Sequence, residues 1–364
     1  NNLMTIKQPN IDIAFKQKAT SSINKSERGI AILILKNDET SNCPAYAVYK
    51  DITEYEAAKN KYSEVNQKAI TDIFIFPPAK TIVVNSDTVA NALVEIEKNT
   101  PTGWITIAST DAEEDFSTLI SWTKTKESNK KTYKSIVFKG TNTDCKHIVN
   151  FTNEKVTFND SRGEVEGVQY LPSLLGILAS CNTQKSCTYF KCTNLSSVQG
   201  FADLDTELAK GSLVLFNDTN YVRICQGINT LTTLDGEKAT EDMQFIETVE
   251  AMDMIQDDIR DVFKETYLGP YKNKLDNQML LISAINGYFK ELANGNVLDS
   301  EYSNNASINI NAQRDAWISS GKKEAADWDE TKVKNSTFRR DVYLLGDIKI
   351  LGSMTNLKFD ISLF

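Results

Sequence analysis

One histidine and six cysteines are the residues of this chain most able to make it an enzyme. His147 stands two places after Cys145, as a general base might stand near a thiol nucleophile. Residues two apart on a strand point the same way without being aimed at each other. The pair therefore reads as a partly exposed histidine at a strand edge beside a small thiol. Cys181, Cys187 and Cys192 are the one cysteine grouping, with five and four residues between them. That grouping lacks a Cys-x-x-Cys pair and a nearby histidine, so zinc would want a fourth ligand. With Cys43 and Cys225 they read as reduced, hydrophobe-like thiols. The sequence has no Gly-x-Ser-x-Gly elbow, no phosphate loop ending in Gly-Lys-Ser/Thr, and no Gly-x-Gly-x-x-Gly after a strand. No catalytic residue, metal ligand or cofactor is expected.

Carboxylates are the other concentration of chemistry. Glu247, Glu250, Asp253, Asp257, Asp258 and Asp261 crowd one helical stretch from Glu241 to Glu265. Such a row could hold a cation or a catalytic pair, or face a partner of opposite charge. The reading taken here is a solvated face.

The elements that would position these groups belong to a mixed α/β chain. Its 364 residues exceed what one core usually supports, and 41% hydrophobic with 24% charged residues is ordinary globular composition. A net charge of −9 argues against general nucleic-acid binding. The longest apolar stretch, Val168 to Cys181, is broken by Pro172 and too short for a bilayer, and the N-terminus shows no secretory pattern. No membrane or nucleic-acid partner is expected, and the compartment is a cytosol.

Ile30–Leu35 is a continuous apolar run, the mark of a strand buried on both faces. Ala45–Tyr49 and Ile73–Phe76 look similar, with a helix around Thr53–Tyr62 between them. Then Thr81–Val84, Trp104–Ala108 and Ser135–Lys139 read as strands alternating with helices. The first helix is Asp87–Lys98; the second is opened by a capping box, Thr110 with Glu113. This order implies a parallel sheet covered by helices. After Thr81–Val84 the turn Asn85-Ser86-Asp87 offers no glycine, so the Rossmann-like order lacks its nucleotide-binding part. Leu213–Phe216 and Tyr221–Cys225 read as a hairpin around Asn217–Asn220.

Farther on, Met243, Ile246, Val249, Met252, Ile255, Ile259 and Val262 fall at helical spacing. Leu275, Met279, Ile282, Ile285, Phe289 and Leu292 make a second stripe, and the two helices should pack together. A shorter helix near Ala312–Ser319 follows, then strands at Val342–Leu345 and Ile348–Leu351.

Both ends of the sequence carry alternating runs with no local partner. Ile11, Ile13 and Phe15 share one face near the start; Leu357, Phe359, Ile361 and Leu363 share one near the end. A lone strand leaves a row of N–H and C=O groups that need a sheet edge. Ala19 to Lys25 and Gly352 to Asn356 read as flexible connections. If the edge belongs to another copy, the protein is a polymer building block. Each added backbone hydrogen bond contributes about 0.5–1.5 kcal/mol net. Burying Phe359, Ile361 or Leu363 contributes about 1.5–3 kcal/mol each before ordering costs.

The residues from Pro9 to Lys16, followed by Glu27-Arg28-Gly29-Ile30, resemble the opening of small contractile tail-sheath proteins of PBSX-like prophages, clostridial myophages and phage-tail-like bacteriocins. Gln226 to Thr233, Asp257-Asp258-Ile259 and Gly287-Tyr288-Phe289 fit the same pattern in order. Gly346 to Ile350, then Asn356 to Ile361, is the nearest match. The resemblance implies an α/β (α+β overall) chain with four parts: an N-terminal arm (1–25), an outer α/β region (26–235), an inner tube-facing domain (236–351) and a C-terminal arm (352–364). The arms would be exchanged as strands between neighbours. It further implies hexameric rings stacked around a tail tube, with the tube, baseplate and tail terminator proteins as partners. Assembly would take place in the bacterial cytoplasm and end in a phage or phage-tail-like particle. Val342, Leu344, Ile348 and Ile350 are the candidate acceptor strands. The rival readings are a cytosolic α/β enzyme with self-paired termini and a tail-tube or capsid-like subunit.

Overall fold

The computed structural model describes residue 23, residues 27–108 and residues 113–363. The apolar run forms β1 (Ile30–Lys36), whose first six residues are at most 4% exposed. Next come β2 (Tyr46–Tyr49), α1 (Ile52–Glu56) and α2 (Glu64–Ile75). β3 (Lys80–Ser86), α3 (Val89–Asn99), β4 (Thr102–Ala108), α4 (Glu113–Ser128), β5 (Thr132–Phe138) and β6 (Ile148–Phe151) continue the alternation. β7 (Lys155–Phe158), β8 (Glu164–Glu166), α5 (Leu171–Ser180) and β9 (Leu195–Val198) follow, then α6 (Leu204–Ala209), β10 (Ser212–Leu213), β11 (Leu215–Asp218) and β12 (Tyr221–Ile224).

β1 is central in a seven-stranded sheet of order β10-β6-β5-β4-β1-β3-β2. All its neighbours pair in parallel except β2, which runs against β3. α2 and α5 pack together on one face; α3 and α4 are reached by crossovers running the other way and cover the opposite face. Gly176 of α5 makes the α2 contact possible, since a Cβ there would sit 2.4 Å from the Ile73 carbonyl oxygen.

Several expectations need correction. Ile73–Phe76 is not a strand. It ends α2, where Asn66, Ile70 and Ile73 are buried at helical spacing and Ile75 is exposed. The helix expected over Thr53–Tyr62 splits into α1 and a single 3₁₀ turn at Lys59–Lys61. The hairpin pairs Asp218 directly with Tyr221, so its loop is the two residues Thr219-Asn220, with Thr219 left-handed at φ 47°. Leu213 leaves that hairpin to pair β10 with β6. Thr110 lies outside the described residues, as do Ile11, Ile13 and Phe15.

The rest of the chain builds a second core. It contains α7 (Ile246–Val262), α8 (Leu275–Asn294), β13 (Asn305–Ile308), α9 (Ile310–Ser319), α10 (Glu330–Asn335) and β14 (Leu344–Asp347). Ala251, Met254 and Ile255 of α7 meet Leu281, Ile285, Tyr288, Phe289 and Leu292 of α8. Ile23 is buried in the same cluster, so the expected leash is anchored at that residue. Met279, assigned to the inward stripe, is exposed. Among the described residues no helix is long and apolar enough to cross a membrane.

Candidate assembly interface

Of the six carboxylates expected on a solvated face of α7, Glu250, Asp253, Asp257 and Asp258 are buried, Glu247 is half-buried and Asp261 is exposed. Glu250, Asp253 and Asp257 recur at i, i+3 and i+7, which places them on one side of the helix. That side is pressed against the parallel sheet, and all three are buried. Arg28, just before β1, donates from Nε to Glu250 Oε1 at 2.8 Å and from Nη1 to Asp257 Oδ2 at 2.9 Å. Lys134 of β5 bridges Glu250 at 2.9 Å and Asp253 at 2.7 Å. Thr132 donates to Asp257, and Tyr288 of α8 donates to Asp258. A charged row was legible in the sequence; the cations that bury it lie more than a hundred residues away along the chain.

His147 belongs to this seam. Its side chain is 4% exposed, not the partly open strand-edge group expected. Nε2 lies 2.9 Å from both Asp253 carboxylate oxygens and Nδ1 lies 2.6 Å from Glu127 Oε2. Cys145 donates its thiol proton to the same Glu127 oxygen at 3.0 Å. Burial and the adjacent Glu127 carboxylate push that thiol far above its ordinary value. Both ring nitrogens face carboxylates, which leaves no lone pair to accept a proton from sulfur. This geometry joins the two cores and offers no nucleophile and base.

The open surface lies at the other end of the second core. β13 and β14 form a two-stranded antiparallel sheet in which Ala306 faces Gly346. The Asn286 side chain of α8 accepts from Ala306 N–H at 2.7 Å and donates to Ala306 C=O at 3.4 Å, occupying the outer edge of β13 at that residue. Antiparallel ladders alternate hydrogen-bonded and open pairs. Asn309 N–H donates to Tyr343 C=O, which fixes the odd-numbered β13 residues as the bonded set. The backbone groups of Leu344 and Gly346 therefore point away from β13, along an edge of β14 that has no strand beside it among the described residues.

Of the candidate acceptors, Leu344 lies within β14. Val342 precedes it, lining a cleft with Arg339, Arg340, Tyr267 and Tyr271. Ile348 follows, and Ile350 makes a single bridge to Leu298. The side chains of Leu344, Ile348 and Ile350 pack on the second core. The expected strand Ile348–Leu351 is thus replaced by that one bridge.

Beyond Leu351, whose N–H donates to Val297 C=O, the chain leaves the body. Glu247 of α7 accepts from Ser353 N–H at 2.9 Å and from its hydroxyl at 2.6 Å. After that tether Leu357, Phe359, Ile361 and Leu363 are 88%, 75%, 69% and 93% exposed and make no ladder among the described residues. Four large apolar side chains two apart, presented together, are what a sheet-pairing segment offers to a surface outside its own fold.

These features define a class, a structural subunit built on an α/β domain joined to a helix-and-sheet domain. The fold is that of contractile sheaths. It matches the anti-feeding prophage helical sheath in its contracted state with a TM-score of 0.67, at 11% identity and 99% coverage of both chains. A Desulfitobacterium hafniense sheath tail protein matches with a TM-score of 0.65 at 14% identity, over 82% of this chain and 93% of that one. The PVC sheath complex in its contracted state gives 0.64 at 11% identity and 98% coverage of both. Residues 238–364 match the family described as phage tail sheath C-terminal domain. The tail sheath protein of Clostridium phage phiCD119 is 28% identical over 368 residues, covering 97% of this chain and 99% of that protein. The role these relationships support is a tail-sheath subunit; they lend nothing to the enzyme reading.

Proposed function

We propose that this chain polymerises as stacked hexameric rings around a tail tube and contracts to drive the tube through a cell envelope. Its arms are exchanged as strands between neighbours, and its further contacts are the tube, baseplate and terminator proteins of the same particle. The protein is made in a bacterial cytoplasm and works in a phage tail or phage-tail-like particle. The four-part division, with arms at 1–25 and 352–364 around an outer and an inner domain, is part of this reading.

The observation that carries it is the pairing of supply and demand in one chain. Among the described residues β14 has an open edge, and residues 357–363 form an exposed apolar-alternating segment. Strand addition satisfies both through backbone hydrogen bonds. Electron microscopy of the purified protein tests the reading, with striated tubes expected. Deleting Leu357–Phe364 should leave a folded monomer that forms no tubes. A deletion that unfolds the chain, or tubes that persist without these residues, would count against it.

A further inference from the structure

We infer that the seam between the parallel sheet and α7 is a clasp closed by the charged form of His147, and that raising the pH opens it. The inference stands apart from the sheath reading, because it concerns how the two cores of one chain are held together.

The geometry surrounds the ring with acids. Asp253 of α7 sits on Nε2 and Glu127 of α4 on Nδ1. Glu250 of α7 lies one helical turn before Asp253 and shares Lys134 with it. Lys134 of β5 and Arg28 supply the other buried cations, and Lys146 reaches Glu127 at 3.6 Å from the rim. Cys145 completes the surroundings and donates a neutral thiol proton. Asp257 has Arg28 and Arg260 for partners. Glu250, Asp253 and Glu127 therefore face Arg28, Lys134 and His147, with Lys146 adding to Glu127 from the rim, and the ring is the one cation of the set that touches two of these carboxylates through two separate N–H groups when charged. A neutral ring can donate from only one nitrogen, so one carboxylate would lose its hydrogen bond and the seam one positive charge.

The direction of the pH effect follows. Burial disfavours the charged ring, yet Asp253 and Glu127 outweigh it and hold the imidazole above its ordinary value of 6.5. A raised histidine contributes stability that is complete below the ordinary value and lost as pH rises through the raised one. On the acid side, Glu127 is held down to about 2 by the ring, and Asp253 is likewise held low by Lys134 and the ring. The clasp is closed in mild acid, below the ordinary histidine value, and weakens as the pH rises through the raised one.

The chain has one histidine, so its ring can be followed without assignment. Deuterium exchange at the imidazole C2 position, read by mass spectrometry on the full chain, gives the titration midpoint even in large assemblies. A midpoint above 6.5 is expected. Between pH 6.5 and that midpoint plus one unit, backbone exchange in Ile246–Val262 should rise, beyond the base-catalysed increase, by about tenfold for each pH unit that the midpoint lies above 6.5, with no such rise in Ile30–Lys36. His147→Gln should abolish this extra rise. Where that variant does not fold, Glu127→Gln at the 26%-exposed rim should lower the C2 midpoint. A midpoint at or below 6.5, a rise that survives His147→Gln, or a midpoint unmoved by Glu127→Gln would overturn the clasp.

Discussion

Asn286 occupies both backbone groups of Ala306, accepting from its N–H at 2.7 Å and donating to its C=O at 3.4 Å. A side-chain amide thus stands where a third strand would pair, and the two-stranded sheet is left one-sided. Among the described residues β14 offers the edge with outward backbone groups left unpaired by another strand, through Leu344 and Gly346. Protected edges are a common defence against indiscriminate pairing. Here the protection of one edge directs pairing to the other.

Replacing Gly346 by proline removes an outward N–H and leaves the β13 ladder intact. A Cβ at Gly346 has nothing within 4 Å, so the change costs little in packing. The expected outcome is a monomer with an unchanged circular dichroism spectrum that forms no tubes by electron microscopy. Tubes of normal length would place the acceptor elsewhere.

The buried seam and the surface ion pairs should behave very differently. Lys134 is 4% exposed and faces two carboxylates, so Lys134→Met leaves Glu250 and Asp253 short of a counter-charge. Removing one partner of such a site costs about 3–5 kcal/mol. Lys139, paired with Glu154 in solvent, should cost no more than about 1 kcal/mol as Lys139→Ala. Urea unfolding of the two variants measures the contrast. Equal effects would mean the seam carries no more stability than the surface.

The parallel sheet was legible because its strands are local signals. Ile30–Leu35 is apolar on both faces, and alternation with helices dictates parallel order. The helical stripes of α7 and α8 were legible for the same reason. The acidic face of α7 was misread because its partners, Arg28, Lys134 and His147, come from three separate places in the chain. A row of carboxylates at helical spacing has the same pattern whether water or buried cations face it. Ile73–Phe76 misled in another way. Four apolar residues fit a strand or a helix end equally well, and the decision rested on Ile70 and Asn66, one and two turns before Ile73. The one-sidedness of the β13–β14 sheet had no sequence signal, since it depends on one asparagine of α8.

Thiol accessibility gives a third check. Cys145, Cys181, Cys187 and Cys192 are buried, and Cys43 and Cys225 are half-buried. Burial pushes Cys181 up to about 11 and Cys192 up to about 12. The thiolate is the reactive species. In native protein at mild alkaline pH an aromatic disulfide reagent should therefore react slowly, and no more than Cys43 and Cys225 should respond before unfolding. All six should react in denaturant. Rapid native labelling of Cys145 would contradict the Glu127 contact.

The last prediction concerns what moves. Gly352–Asn356 lies outside the body apart from the Ser353 tether to Glu247, so the segment after it can swing while its far end stays paired. Phe359 is 75% exposed and Leu345, on β14, is 56% exposed. Replacing both by cysteine places thiols where an added strand would run beside the acceptor. In assembled tubes, oxidation should link neighbouring subunits into ladders on a non-reducing gel. If strand pairing is a joint that persists, linked tubes should still contract when triggered, at the same final diameter as unlinked ones. Linkage that forms but blocks contraction would show that the strand must leave its edge. The joint would then be a latch that opens, and the flexible connection would serve release.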